Sequence, residues 1–108
     1  MKGDALKGHL DVLLLAIVEA GPVHGYSIIE ELRRRSRGAF DLPAGTIYPA
    51  LHRLERAGLL KSSNKEVGGR RRRVYEITRW GRRALNEGRH EWRDFSMAVR
   101  YVIGGSDV

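Results

Sequence analysis

A mainly α-helical domain with one small β-hairpin, closed by a long C-terminal helix, is predicted by three features of the sequence. Apolar residues recur at helical spacing in three segments before residue 58, each ended by a glycine or a Gly-Pro pair. A Gly68-Gly69 pair and four arginines precede the alternating stretch Val74-Tyr75-Glu76-Ile77, the pattern of a hairpin's return strand. From Leu85 to Val102 apolar positions fall at spacings of three and four, which marks a long helix with a single seam.

Leu10 to Ala20 is almost wholly apolar, with Asp11 near its start and Glu19 near its end. This predicts a short helix buried on most sides and stopped by Gly21-Pro22. After His24-Gly25-Tyr26-Ser27, the residues Ile28, Ile29 and Leu32 are interleaved with Glu30, Glu31 and Arg33 to Arg35, giving an amphipathic helix that ends near Gly38. Phe40-Asp41-Leu42-Pro43 is a connector, because a residue before proline avoids the helical region. Ile47, Leu51 and Leu54 then form one stripe of a third helix, Thr46 to Ala57, ended by Gly58. Projection at about 100° per residue turns Thr46, Pro49, Arg53 and Arg56 away from the core, with Gly45 and His52 at the flanks. Pro49 removes one early intrahelical hydrogen bond. Leu59-Leu60-Lys61 reads as a strand, Ser62 to Gly69 as the turn region and Arg72 to Ile77 as the partner strand. Thr78 is a good N-cap for the last helix, expected over Arg79 to Ile103, and Gly104, Gly105, Ser106 and Asp107 read as a frayed tail.

At 108 residues and 42% apolar, the chain supports one domain with a thin stability margin, to which oligomerisation would add burial. Its charge is unevenly placed. Lys61 to Arg83 holds nine basic and two acidic residues, while the rest of the chain balances, so the whole net charge of +7 sits in about a fifth of the sequence. A polyanion-facing edge is the simplest reading, with nucleic acid as the expected target, although an arginine run also serves merely as a solvated loop. With no cysteine, disulfides and thiolate metal sites are excluded and a reducing cytoplasm is the expected home. The longest apolar run, Val12 to Val18, falls far short of the roughly 20 residues that cross a bilayer, and no charged leader precedes it, so a soluble, unexported protein with no membrane partner is expected. His9, His24, His52 and His90 are scattered and no nucleophile is paired with a base, so neither catalysis nor a cofactor or metal is expected.

The last helix carries Leu85, Gly88, Trp92, Phe95, Val99 and Val102 along its seam. That seam packs on the first helix of its own chain or on the same helix of a second subunit. The homodimer is the expected answer, because some 25 helical residues project well beyond so small a core.

Three helices, a basic hairpin and a long helix is the order of a winged helix-turn-helix, and particular residues carry the likeness further. Leu10-Asp11-Val12-Leu13-Leu14-Leu15 with Gly21-Pro22-Val23-His24-Gly25-Tyr26, then Gly45-Thr46-Ile47-Tyr48-Pro49-Ala50-Leu51, Arg53-Leu54-Glu55 and Gly58-Leu59-Leu60 are followed by Arg72-Arg73-Val74-Tyr75-Glu76-Ile77-Thr78, Gly81 and Ala84-Leu85. Over residues 5 to 103 the chain resembles the PadR family of bacterial transcriptional regulators, in its short form with one C-terminal helix. One departure is visible: Pro43-Ala44 stands where family members often place a serine, so no side-chain oxygen caps the third helix there. The resemblance implies a winged helix-turn-helix DNA-binding domain over residues 1–78 and a dimerisation helix over 79–108, forming one compact unit.

In such a fold the third helix enters the major groove. Gly45 and Thr46 at its N-terminus are then expected to meet phosphate, Pro49 a thymine methyl, Arg53 a base edge or phosphate, and Arg56 the backbone. Tyr48 either orients against phosphate or packs as a half-buried side chain; Tyr26 either clamps the backbone or covers the core edge. Arg70, Arg71, Arg72 and Arg73 are expected to track phosphates and supply affinity more than sequence. Leu85, Gly88, Val99 and Val102 are the expected dimer contacts, and the operator is expected to be palindromic, its half-sites about 34 Å apart. In some family members an aromatic effector stacks on a tryptophan of the last helix; here that points to Trp92 and Phe95, with Glu91 and Asp94 close by, unless Trp92 simply fills the dimer core. A repressor is the expected role, and a winged-helix module for architectural DNA, RNA or protein binding is the alternative.

Overall fold

The computed structural model describes residues 9–104. The tail expected at Gly105, Ser106 and Asp107 lies outside these residues, as do the first eight residues of the expected DNA-binding unit. The elements in chain order are α1 (Leu10–Val18), β1 (Val23–His24), α2 (Gly25–Arg35), α3 (Ala44–Arg56), β2 (Leu60–Val67), β3 (Arg70–Ile77) and α4 (Arg79–Ile103). Helices dominate, and the strands form one antiparallel sheet in the order β1-β3-β2. This is the winged-helix architecture that the sequence predicts.

Two details differ from expectation. β1 is an extra strand of two residues, pairing Val23 with Tyr75 and His24 with Val74. The hairpin is also longer than expected: Ser62 to Val67, expected as turn, continues β2 in register with β3 from Leu60 opposite Ile77 to Val67 opposite Arg70. The turn itself is only Gly68-Gly69, with φ of 60° and 78°. Positive φ at both central residues suits the two-residue turn whose twist matches that of the strands, and glycine adopts it without strain.

The core gathers Leu14, Leu15 and Val18 of α1, Ile28 and Leu32 of α2, Ile47, Ala50, Leu51 and Leu54 of α3, Leu60 and Tyr75 of the sheet, and Leu85 of α4. Burying each large aliphatic side chain of α3 stabilises its seat by roughly 1.5–3 kcal/mol, which fixes what the opposite face of that helix presents. Thr78 caps α4 by accepting from the Gly81 amide at 3.0 Å, and its hydroxyl donates to the Gly58 carbonyl at 2.6 Å. The end of α3 and the start of α4 are thereby tied at one residue.

α4 has two different halves. Near its start Gly81 and Leu85 are buried, Gly88 stands so close to Val12 of α1 that a methyl group there would collide with it, and Arg89 donates twice to Glu19, at 2.9 and 3.2 Å. Beyond Arg89 the helix leaves the core: Trp92 is 54% exposed, Phe95 58% and Val102 85%. The seam expected to face a partner is therefore divided. Leu85 is wholly buried in its own chain and offers nothing to a second subunit, and Gly88 serves the close crossing with α1. Val99 is partly covered and Val102 open. The reason is physical: the first turns of α4 are what close the bottom of a core this small.

Candidate nucleic-acid interface

The site is built around α3. Its buried residues Ile47, Ala50, Leu51 and Leu54 fix the direction of the core, and stepping around the helix at about 100° per residue then sets Gly45, Pro49, His52 and Arg56 directly opposite. Thr46 and Arg53 fall toward α1, Tyr48 and Glu55 toward the sheet. Pro43 occupies the cap position of α3 without a side-chain hydrogen bond, and its carbonyl accepts from the Thr46 and Ile47 amides at 2.9 and 3.1 Å. Gly45, Thr46 and Pro49 are exposed, so the first turns present a small, open surface.

Arg53 does not stand free. Its guanidinium donates to the Asp11 carboxylate of α1 at 2.5 Å, forming an ion pair that bridges α3 and α1. The expected base or phosphate contact would first have to displace Asp11. Arg56 makes no ion pair or side-chain hydrogen bond among the described residues and lies in the last turn, where the helix dipole favours a cation.

Tyr48 is half-buried and its ring fills the space over Gly25, where a methyl group would collide with it. The glycine of the His-Gly-Tyr turn thus lets the start of α2 approach α3. Tyr26 beside it is 56% exposed and covers no core. His24 precedes α2; its Nε2 pairs with the Ser27 hydroxyl at 3.0 Å and its Nδ1 is buried without a partner.

The hairpin leans on α3 through a polar relay. Ser62 of β2 donates to Glu55 at 2.6 Å and accepts from Arg73 at 2.8 Å, so one strand residue fixes both the helix and an arginine. Strand alternation puts Arg71 and Arg73 on the same side as Tyr75, which is buried in the core. Burial raises the Tyr75 pKa, so its phenol stays neutral. Arg70, Arg71 and Arg72 have no acidic partner in contact among the described residues. Between α3, the start of α2 and the hairpin lies a groove of about 280 Å³, lined by His24, Gly25, Tyr26, Tyr48, His52, Arg71, Arg72, Arg73 and Tyr75.

Of the expected DNA-binding residues, the structure brings Tyr48, Arg71, Arg72 and Arg73 together in this groove and leaves Gly45, Pro49 and Arg56 on the open face beside it. Arg70 lies next to the turn, and Arg53 points to Asp11. Tyr26 lies in the groove, as its backbone-clamp alternative requires, while His24, Gly25, His52 and Tyr75 were not expected there. His52 was placed at a flank because the stripe was drawn without Ala50, and His24 is brought in by the β1 pairing. On α4, Trp92 and Phe95 stack with ring centroids 5.9 Å apart, and the edge of His9 meets Trp92 at 5.3 Å.

The profile of the transcriptional regulator PadR-like family matches residues 14–87. The chain belongs to this family. The PadR-like chain is 47% identical over 83 residues to the transcriptional regulator Rv3488 of Mycobacterium tuberculosis, covering 77% of this chain and 72% of that protein. Its fold is similar to that of a PadR-like transcriptional regulator from Bacillus cereus, with a TM-score of 0.84 at 28% identity over 96% of this chain and 100% of that one. Bacillus subtilis PadR, solved in complex with operator DNA, shares the fold at a TM-score of 0.64 and 23% identity, over 77% of this chain and 44% of that longer one. Among the described residues, no helix is long and apolar enough to cross a membrane and no cluster of metal-ligating side chains occurs.

Proposed function

We propose that this PadR-family regulator is a homodimeric repressor that binds a palindromic operator through α3 and the hairpin. The observation that carries the reading is the union of an open α3 face with three hairpin arginines that form no ion pair with a carboxylate among the described residues. Gly45, Thr46, Pro49 and Arg56 meet the duplex from α3, Tyr48 and Arg70 to Arg73 hold its backbone, and Arg53 joins them only on leaving Asp11. The B. subtilis complex supports operator DNA as the ligand class. Of the described residues, those up to 78 form the DNA-binding unit and α4 is the dimerisation helix, joined by the Thr78 tie.

The outer half of α4 supports self-association, because the exposed Trp92, Phe95, Val102 and Ile103 fall on one side of the helix with the partly covered Val99 among them. The stacked Trp92 and Phe95 are the seat for an aromatic effector that releases DNA. Binding to the DNA upstream of the protein's own gene, against a scrambled duplex of equal composition, tests the reading by fluorescence anisotropy. A specificity ratio of about 10³ or more supports a sequence-reading regulator, and equal affinities would leave an architectural binder. Replacing Val99 with aspartate should give monomers in sedimentation; a variant that stays dimeric would move the interface off this seam.

A further inference from the structure

We propose that the groove between α3 and the hairpin seats one DNA backbone phosphate, and that His52 holds it in its protonated form, so that DNA affinity is coupled to pH. The inference rests on the DNA-binding reading above and adds to it a ligand atom, a residue and a proton.

The groove carries donors and cations and no carboxylate. Arg71 and Arg72 line it without an acidic partner in contact among the described residues, and Tyr26 and Tyr48 add hydroxyls. Its volume of about 280 Å³ is several times the roughly 30 Å³ that a water occupies in the liquid, enough for a phosphate group. Glu55, one turn from His52 along α3, is turned to the sheet, where it accepts from Ser62. A singly charged phosphodiester complements this lining.

His52 is the exposed imidazole of the groove, and imidazole is the side-chain type that changes charge near neutral pH. It is exposed, lies in the middle of the outward stripe of α3, and has no hydrogen bond or ion pair among the described residues. Facing it are Arg71, Arg72 and Arg73 from the hairpin, Tyr26 and His24 from the start of α2, and Tyr48 and Arg56 from its own helix. Without an anion the arginines oppose a second positive charge; a phosphate in their midst reverses that balance and favours the imidazolium. Binding then takes up a proton.

The other groups do not compete for that role. Arginine and tyrosine change charge only near or above about pH 10. The Nε2 of His24 is engaged by the Ser27 hydroxyl at 3.0 Å. The linkage is therefore one proton per bound subunit, which limits it to about tenfold in affinity per pH unit for each subunit on the DNA and about a hundredfold for a dimer with both bound.

The test is anisotropy with a random duplex at fixed ionic strength from pH 5.5 to 8.5, for the wild-type protein, for His52→Gln, which keeps an N–H donor without titrating, and for His90→Gln on α4 as control. Wild type and H90Q should lose affinity as pH rises, by up to about tenfold per unit for each subunit bound, while H52Q should be flat. The operator duplex should give the same pH slope as random duplex, as a backbone contact requires. A flat wild-type profile, an H52Q variant that keeps the slope, or a slope confined to one base sequence would each overturn the proposal. Failure of the wild type to bind any duplex is a separate outcome, and it would overturn the DNA-binding reading itself.

Discussion

The chain carries two arginine runs, Arg33 to Arg35 at the end of α2 and Arg70 to Arg73 at the start of β3, in opposite electrostatic surroundings. In the first, Glu31 reaches forward one turn and pairs with both Arg34, at 2.5 Å, and Arg35, at 2.8 Å. These two hydrogen bonds pull the Glu31 pKa down to about 2, and the same contact raises that of Arg34. In the second, Arg70, Arg71 and Arg72 contact no acid, and Arg73 is held by the neutral hydroxyl of Ser62. A run of arginines is thus no signal by itself. What separates a solvated helix end from a polyanion-binding edge is whether a carboxylate closes on the guanidinium: Glu31 does so on Arg34 and Arg35, whereas Glu66, which stands opposite Arg71 across the hairpin, forms no ion pair with it among the described residues.

Replacing Arg71 and Arg72 together with alanine should have the largest effect. Each lost phosphate contact removes about 0.9 from the slope of log affinity against log salt, so the double variant should lose about 1.8, and near 0.1 M salt binding should weaken by roughly tenfold per arginine. Operator and random duplex should suffer alike. An unchanged slope would erase the distinction between the two runs.

The charge contrast was legible in part: Glu31 stands three and four residues before its partners on a helix, where such pairs meet, whereas Glu66, also four residues before Arg70, falls in a hairpin and stands opposite Arg71 instead. The bounds of α4 and the Thr78 cap were legible too, one from sustained spacing and the other from a residue type with a single strong local role. The outer half of the hairpin was not. Ser62, Ser63, Asn64, Lys65 and Glu66 lack alternation because the ribbon beyond the core is wet on both faces, and only backbone pairing with β3 makes it a strand. β1, at two residues, is too short to carry any period. The pairing of Arg53 with Asp11 joins residues 42 apart, and no local pattern encodes it. In the candidate site, residue types were therefore easier to foresee than partners: His52 and Arg53 exchanged their expected positions once the burial of Ala50 and the reach of Asp11 were known.

Ser62→Ala sharpens the contrast from the other side, because it removes the one hydrogen bond that an arginine of the second run has. The relay Glu55-Ser62-Arg73 is partly buried, so its loss should cost about 1 kcal/mol and lower Tm by roughly 4–8 °C in a domain of this size. Thermal unfolding by circular dichroism measures it. Random-duplex affinity should change less than in the arginine double variant, since all four guanidinium groups remain. A Tm equal to wild type would mean that the hairpin is seated by backbone pairing alone.

The smallest effect is expected at Glu31→Gln. The carboxylate lies at the surface with its side chain partly covered, and solvent screens its pairs with Arg34 and Arg35, so the loss of stability near pH 7 should be slight. Its sign and pH window are nonetheless fixed. The folded pKa lies below the ordinary value of 4.5, so the ionised group stabilises the fold above about pH 4.5, and that contribution disappears as pH falls toward about 2. Tm of wild type should therefore exceed that of E31Q at pH 6, and the two should converge near pH 2. The DNA salt slope of E31Q decides what the pairing does for binding. An unchanged slope assigns the α2 run to the solvated surface even when its arginines are released. A slope steeper by about 0.9 or more would mean that Glu31 had been keeping Arg34 or Arg35 from phosphates within their reach, and the line between the two runs would then be drawn by one carboxylate rather than by their place in the fold.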